Sequence, residues 1–472
     1  MSFEPLNIPG LSDDEMRTVN RLLEQLDAKA ERNLLRLSYY DGKRAARQIG
    51  SVIPPQYYRT GIVLGWSAKS VDMLGRRCNL DSFVWPDGDL DSLGYRDLLD
   101  GNHLMSRINS AKNASLINGV SFLVNTRGDT SKGEPASLIH VKDALNATGT
   151  WNARKGALDD LFSVTSRDDD GKVNGLVLYL DGLTVTAERE KRTWSVDHTE
   201  HPWGVPAEPV VYKPSEVRPF GMSRISRPIM SIHDRALREV VRLEGHMDVF
   251  SMPQFVLLGA SEEIFKNADG SQKAVWQVML GRIKGVEDNP EKPDALARVD
   301  VKQFPAASPA PHGDALDILS RAFAREASLP DSAVALKGVS NPTSADSYDA
   351  SQYELIAEAE GAMRDWSSPI TRAVARSLAI LNGDSGVRDE FLSIRPDWLG
   401  AKFESRAAKA DAGSKQVAAA PWLAETEVGL ELMGLEPEQI KRALAEKRKA
   451  AGRAVLATLA QPQTPQANAD GA

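Results

Sequence analysis

The chain has 472 residues, 42% hydrophobic and 26% charged, with 57 Lys and Arg against 65 Asp and Glu for a formal net charge of −8. That length holds more than one hydrophobic core, while the acidic balance argues against a protein that coats nucleic acid tightly with cations facing phosphates. Cys78 is the only cysteine, which excludes a disulfide framework and any cysteine-based metal site.

The first element begins at Ser12-Asp13-Asp14-Glu15, a capping box. Met16, Val19, Leu22, Leu23, Leu26, Leu34 and Leu35 follow at helical spacing, and the helix ends near Tyr39-Tyr40-Asp41-Gly42-Lys43. Ile53-Pro54-Pro55 breaks the chain before a second helix from Gly65-Trp66 to Leu74. Cys78 continues the apolar spacing of Val71 and Leu74, which predicts a core thiol rather than an activated one. Further helical pattern runs from Leu93 to Ile117.

From Val120 the period changes to that of strands. Val120 to Val124, Ser137 to Val141, Leu161 to Thr165, Gly175 to Leu180, Leu183 to Glu188 and Thr193 to Val196 are short and β-branched or aromatic, and Gly-containing turns separate them. This predicts an antiparallel sheet. Asp168-Asp169-Asp170-Gly171 reads as a hairpin turn rather than a metal site, because no spaced partner carboxylates follow. His198 and His201 lack a third ligand at sensible spacing, so no zinc is expected there.

The stretch from Ser226 to Phe250 predicts one long helix, with Ser226 as N-cap, Pro228 in the first turn and Pro253 beyond the end. Ile229, Ile232, Ala236, Val240, Leu243, Met247 and Phe250 form its apolar stripe, and Asp234 with Arg238 and Arg235 with Glu239 have the spacing of ion pairs. Strand-like segments follow at Gln254 to Leu258, Gly281 to Val286 and Arg298 to Phe304, with a turn at Asn267-Ala268-Asp269-Gly270. A returning helix from Asp314 to Ala327 places Leu316, Leu319, Phe323 and Ala327 on one face, and Pro330 closes it. A helix, a small β excursion and a returning helix make a stalk with a knob. Strands so short are better satisfied by pairing with a neighbouring subunit, which suits assembly more than catalysis.

Lys337-Gly338-Val339-Ser340-Asn341-Pro342-Thr343-Ser344 reads as a loop, after which Ser344 and Asp346 start another helix. Tyr348, Leu355, Ile356, Met363, Trp366, Ile370, Val374 and Leu378 lie along that helix, which Pro369 is expected to kink or restart. A last helical region runs from Phe403 to about Leu459, and 461–472 is a tail of disordered composition. No apolar run approaches the length of a membrane span, and Glu4 and Pro5 stand where a signal peptide would be basic. The expectation is a cytoplasm-like compartment and no membrane.

No phosphate-cradling loop, dinucleotide fingerprint, H-E-x-x-H or G-x-S-x-G motif occurs. The chain does resemble the portal proteins of tailed double-stranded DNA bacteriophages. The strings that carry the resemblance are Tyr39-Tyr40-Asp41-Gly42-Lys43, Pro54-Pro55 and Gly65-Trp66, then Gly221-Met222-Ser223-Arg224-Ile225-Ser226-Arg227 before the long helix. Phe304-Pro305-Ala306-Ala307-Ser308-Pro309-Ala310-Pro311-His312, Asn341-Pro342-Thr343-Ser344-Ala345-Asp346, Lys409-Ala410-Asp411 and Pro421-Trp422-Leu423 continue it. None is a catalytic signature, and their order covers nearly the whole chain.

The resemblance implies an α+β, mainly helical portal fold with a β-rich wing segment, a two-helix stem and a small α/β clip. Residues 1–225 would form the wing, 226–250 the stem helix, 251–304 the clip and 305–330 the returning stem helix. A tunnel loop over 331–344 would face DNA through Lys337 to Ser344, followed by a long kinked helix with wing return over 345–400 and crown helices over 401–460. Ile232, Ala236, Val240, Leu243, Met247 and Phe250 would be the stem's subunit interface. Family members form twelve-fold rings at one capsid vertex, in the host cytoplasm during assembly and in the virion afterwards. Their partners are the major capsid protein and scaffold, a separate terminase motor, a head-tail adaptor and the DNA that passes through. The resemblance implies no enzymatic activity, cofactor or metal. An enzyme of unrecognised type, or another virion or scaffold component, is the alternative reading.

Overall fold

A computed structural model describes residues 5–43, 61–191, 193–250, 254–258, 266–267, 269–272, 300–304, 307–335, 350–402 and 406–459. The chain divides into two compact units, Met1–Ala401 and Lys402–Ala472.

In the first unit, helix α1 (Asp13–Tyr40) starts on the capping box read from the sequence. Ser12 Oγ accepts from the Glu15 amide at 3.3 Å, and Glu15 Oε2 accepts from the Ser12 amide at 2.7 Å. Strands β4 (Ala147–Asn152), β5 (Ala157–Arg167), β6 (Val173–Leu180), β7 (Leu183–Glu190) and β8 (Thr193–Glu200) form a five-stranded meander. Its hairpins follow from local turn chemistry. Asp168 Oδ1 accepts from the amides of Asp170 and Lys172, and Gly171 takes the left-handed φ of 80° that a side chain would disfavour.

A second, three-stranded sheet has the order β3 (Ser137–Asp143), β2 (Val120–Arg127), β9 (Ala207–Val211). The single sheet expected from the pattern is therefore two, because Asp143 makes a tight turn after β3. Its Oδ1 accepts from the Leu145 and Asn146 amides, so the chain leaves the first sheet and begins the second.

Alternation sorts these strands into layers. Phe162, Val164, Leu176 and Leu178 of the meander pack with Val19, Leu22, Leu23 and Leu26 of α1. Leu161, Val177 and Tyr179 point the other way, against Val120, Phe122 and Val124 of the second sheet. The far face of that sheet, with Leu123, Ile139 and Val210, joins the largest core. Helices α2 (Trp66–Gly75), α3 (Tyr95–Asn102) and α4 (Leu104–Asn118) contribute to this core. His103, at a left-handed φ of 49°, separates α3 from α4. Strand β1 (Leu80–Val84) pairs antiparallel with β12 (Arg395–Trp398) far along the chain.

Helix α5 (Arg227–Phe250), strand β10 (Gln254–Leu258), strand β11 (Asp300–Phe304) and helix α6 (Ala310–Glu326) form the helix, excursion and return. The two strands pair antiparallel from Gln254↔Phe304 to Leu258↔Asp300, so the excursion closes at its base. Helix α6 begins four residues before the expected Asp314, at Ala310 behind Pro309. Ala268 and the segments 281–286 and 298–299 lie outside the described residues.

Helix α7 (Tyr353–Leu381) runs without a break through Pro369, so of the expected kink or restart the restart does not occur. Proline removes one backbone hydrogen bond. Burial of Trp366, Ile370 and Val374 on either side of it holds the helix regardless. Lys337 to Ser344, Asp346 and Tyr348 lie outside the described residues, as does the tail 461–472.

The second unit is helical, with α8 (Arg406–Ala419), α9 (Glu427–Leu432) and α10 (Pro437–Leu459). The Thr426 Oγ1 accepts from the Gly429 amide at 3.1 Å and starts α9. Ile440 is its one large buried apolar side chain among the described residues.

Candidate assembly site

Of the stripe predicted on α5, Ile229 and Ala236 are buried, while Ile232, Val240 and Leu243 are half-buried against the main core. Met247 is 44% exposed, and Phe250 ends the helix. The buried line instead passes through His233, Leu237 and Val241. The face toward the protein's own core is thus rotated from the predicted stripe, leaving part of that stripe outward. Opposite, on α6, Leu316, Leu319 and Phe323 are buried while Ile318 between them is 68% exposed.

Helix α5 is fixed at its root. The Ser226 Oγ accepts from the Ile229 amide at 3.4 Å, and the buried His233 Nδ1 lies 2.9 Å from Ser67 Oγ of α2. Tyr39 donates its hydroxyl to Asp234, so the expected Asp234–Arg238 pair gives way to a bond from α1. Trp66 packs its ring 5.4 Å from that of Phe323, joining α2 to α6.

Beneath the two helices lies a buried ionic cluster centred on Arg224. Its Nε donates to Ser70 O at 2.5 Å, its Nη2 to Ala327 O at 2.5 Å and its Nη1 to the Tyr212 hydroxyl at 3.1 Å. Nη1 also lies 2.8 Å from Glu358 Oε1, with the side chains only 4% and 8% exposed. One guanidinium therefore ties α2, the end of α6 and the end of β9 to the first turns of α7. Gly221 makes the approach possible: its φ is 64°, and an added Cβ would overlap Tyr212 O. Burial pushes the pKa of Glu358 up, but Arg224, Lys213 and Tyr212 together outweigh it and hold the carboxyl down at about 2.

Farther up the pair, Glu239 of α5 accepts from Arg242 at 3.0 Å and meets His312 Nδ1 of α6 at 2.6 Å. The expected Arg235–Glu239 pair is replaced by these contacts. His312 Nε2 lies 3.3 Å from His246 Nδ1, and His246 Nε2 is 3.0 Å from Ala307 O. A carbonyl only accepts, so His246 donates there and accepts from His312.

Other sequence candidates are not brought together. His198 lies 3.2 Å from Glu15, whereas His201 stacks on Trp203 at 5.1 Å. Cys78 is fully buried, and burial pushes its thiol up to about 12. Among the described residues, no three His, Cys, Asp or Glu are grouped to hold a metal, and no helix is long and apolar enough to cross a membrane. Sequence reasoning missed Arg224 and Glu358. Arg224 lies inside the quoted string before the long helix, but nothing local distinguishes it from a surface cation.

These features define a mixed α+β subunit organised around an antiparallel helix pair that leaves the apolar Met247 and Ile318 exposed. A family model described as phage portal protein, SPP1 Gp6-like, matches residues 19–453, and the chain belongs to that family. It is 24% identical over 440 residues to the portal protein of Mycobacterium phage D29, covering 91% of this chain and 88% of that protein. It is 23% identical over 418 residues to the portal protein of Mycobacterium phage L5, covering 86% and 84%. Among solved structures it is similar to a chain from the neck of a native GTA particle computed with C12 symmetry. That match has 14% identity and a TM-score of 0.43 over 85% of this chain and 99% of the other. A chain from the neck of an empty GTA particle, computed with C6 symmetry, matches with 14% identity and a TM-score of 0.44 over 83% and 92%. Portal proteins are structural and non-enzymatic components of the virion, with capsid-vertex, packaging and connector roles.

Proposed function

We propose that copies of this chain close into a twelve-subunit ring at one capsid vertex, with α5 and α6 as the stem that lines the channel. In this reading 1–225 is the wing, 251–304 the clip and 401–460 the crown. The stem interface uses Ile232, Ala236, Val240, Leu243, Met247 and Phe250. The observation that carries the proposal is an apolar side chain left exposed on each helix of the pair, Met247 at 44% and Ile318 at 68%. A neighbouring copy covers these side chains in a heterologous contact that closes on itself. Strands β10 and β11 form a sheet of only two strands among the described residues, which favours extension by a neighbour.

Lys337 to Ser344 face the channel in this proposal, where one cation among small polar residues contacts passing DNA without fixing it. The ring assembles in the host cytoplasm with scaffold and major capsid protein, receives DNA from a separate terminase motor and later holds the head-tail adaptor. Electron microscopy and light scattering of the purified chain test the ring. Closed rings are expected; a monomer at high concentration that stays monomeric with scaffold or capsid protein present overturns the proposal.

A further inference from the structure

Between α1 and the segment after β9 lies a cavity of about 330 Å³. Lys29, Arg32 and Arg36, at the three- and four-residue spacing of one helix face, line it from α1, and Arg218 lines it from the other side. No carboxylate lines it among the described residues. Arg36 spends Nη1 on Asn118 O at 2.9 Å, while its Nε has no hydrogen-bond partner. Arg32 reaches only the side-chain oxygen of Asn33, at 3.4 Å. The Lys29 ammonium lies 5.7 Å from the centroid of the Phe220 ring. Burial first, and the neighbouring Arg32 second, lower the proton affinity of Lys29 and bring Arg36 down to about 10.

A solvated basic helix face is the bland explanation, and it fails on placement. Lys29 and Arg36 are half-buried rather than turned to water. Two buried arginines of this acidic chain have anionic partners, Arg224 with Glu358 and Arg376 with Glu208, while the buried Lys112 is met by Cys78 O and the Trp398 ring. Here like charges are crowded with no counter-charge, at a cost that an anion would remove.

We propose that this cavity binds a phosphate-bearing anion, its oxygens taken by the guanidinium groups of Arg32 and Arg36 and its remaining charge met by Lys29 and Arg218. Guanidinium forks match phosphate oxygens in pairs, and a multiply charged anion suits four cations better than a single carboxylate does. The volume exceeds that of one phosphate group, so the ligand carries several, either as a free polyphosphate or as consecutive phosphodiesters of a nucleic acid strand.

Calorimetry on the full-length chain at low ionic strength tests this with inorganic tripolyphosphate in one arm and a short DNA duplex in the other. Saturable binding of at least one probe is expected, weakened about tenfold or more in both R32Q and R36Q. Tripolyphosphate alone identifies a free polyphosphate, and the duplex alone identifies the nucleic acid backbone. Arg32 is exposed, so R32Q is expected to unfold at the wild-type temperature and to report on charge alone. Failure of both probes to bind, or binding that both variants retain, overturns the proposal. Polyglutamate of matched charge binding as tightly as the phosphate probes also overturns it, because the cavity would then select an acidic protein segment.

Discussion

Replacing Glu358 by Gln keeps the shape of the side chain and removes the charge that faces Arg224, Lys213 and the Tyr212 hydroxyl. The carboxyl is held at about 2 against an ordinary 4.5. That difference corresponds to roughly 3 kcal/mol at neutral pH, in the range of about 3–5 kcal/mol expected when one partner of a buried pair is removed. Because the folded-state value is depressed, the contribution is fully present above 4.5 and is lost as pH falls toward 2. Roughly 1 kcal/mol is gone at pH 4 and about 2 kcal/mol at pH 3. Urea unfolding of wild type and E358Q at pH 7, 4 and 3 should therefore give a large gap that narrows with acid. A gap below about 0.5 kcal/mol at pH 7, or one that does not change with pH, would show that Glu358 is not the electrostatic partner that holds Arg224.

Three further outcomes follow from the stem and loop. Leu243→Asp places a charge on the half-buried part of the α5 stripe and should abolish rings in electron micrographs; normal rings would show that the position faces solvent in the assembly. His312→Ala removes the bridge from Glu239 to His246 and should weaken the helix pair by about 1 kcal/mol. Hydrogen exchange of the α5 amides reads this as faster local opening, and an unchanged rate would make the chain of imidazoles incidental. Replacing Ser340, Asn341 and Thr343 by Lys should leave rings intact but slow packaging in a salt-sensitive way, since each added cation recruits phosphates. Heads that fill at the wild-type rate at every salt concentration would remove the loop from the channel wall.

Elements with local causes were legible. The capping box at Ser12 and Glu15, the Asp-Gly turns and the boundaries of the long helix each depend on residues within a few positions of one another. Strands that lack such signals were missed. Strand β4 carries Gly149 in a mostly polar run, and β9 contains Glu208 and Pro209, both poor strand formers. Strands β1 and β12 pair across most of the chain, from Leu80 to Trp398, so neither reveals the other. The same distance hid the ionic cluster. Arg224 and Glu358 are far apart in the sequence, and only folding brings them within 2.8 Å. On α5 the spacing rule gave plausible pairs, but a tyrosine from α1 and a histidine from α6 displaced them.

Helix α7 carries two anchors of opposite polarity. Near its start Glu358 accepts from Arg224 beneath the stem. Beyond Pro369, Arg372 and Arg376 both hold Glu208 of β9 at 2.7 Å. Eighteen residues of helix between Glu358 and Arg376 span roughly 27 Å, so the two clusters are separate in space but joined by one rigid element. Strand β9 joins them a second time, since Glu208 lies within it and Tyr212, which donates to Glu358, follows its last residue. A displacement at Glu358 therefore reaches the three-stranded sheet by two routes, through the helix and through the strand. Residues 331–344 lie in sequence between α6, whose end is held by Arg224 through Ala327 O, and α7, whose first turns are held by the same guanidinium through Glu358. Displacing the start of α7 must therefore strain a buried charge pair, and displacing the end of α6 must break a buried hydrogen bond to the same guanidinium.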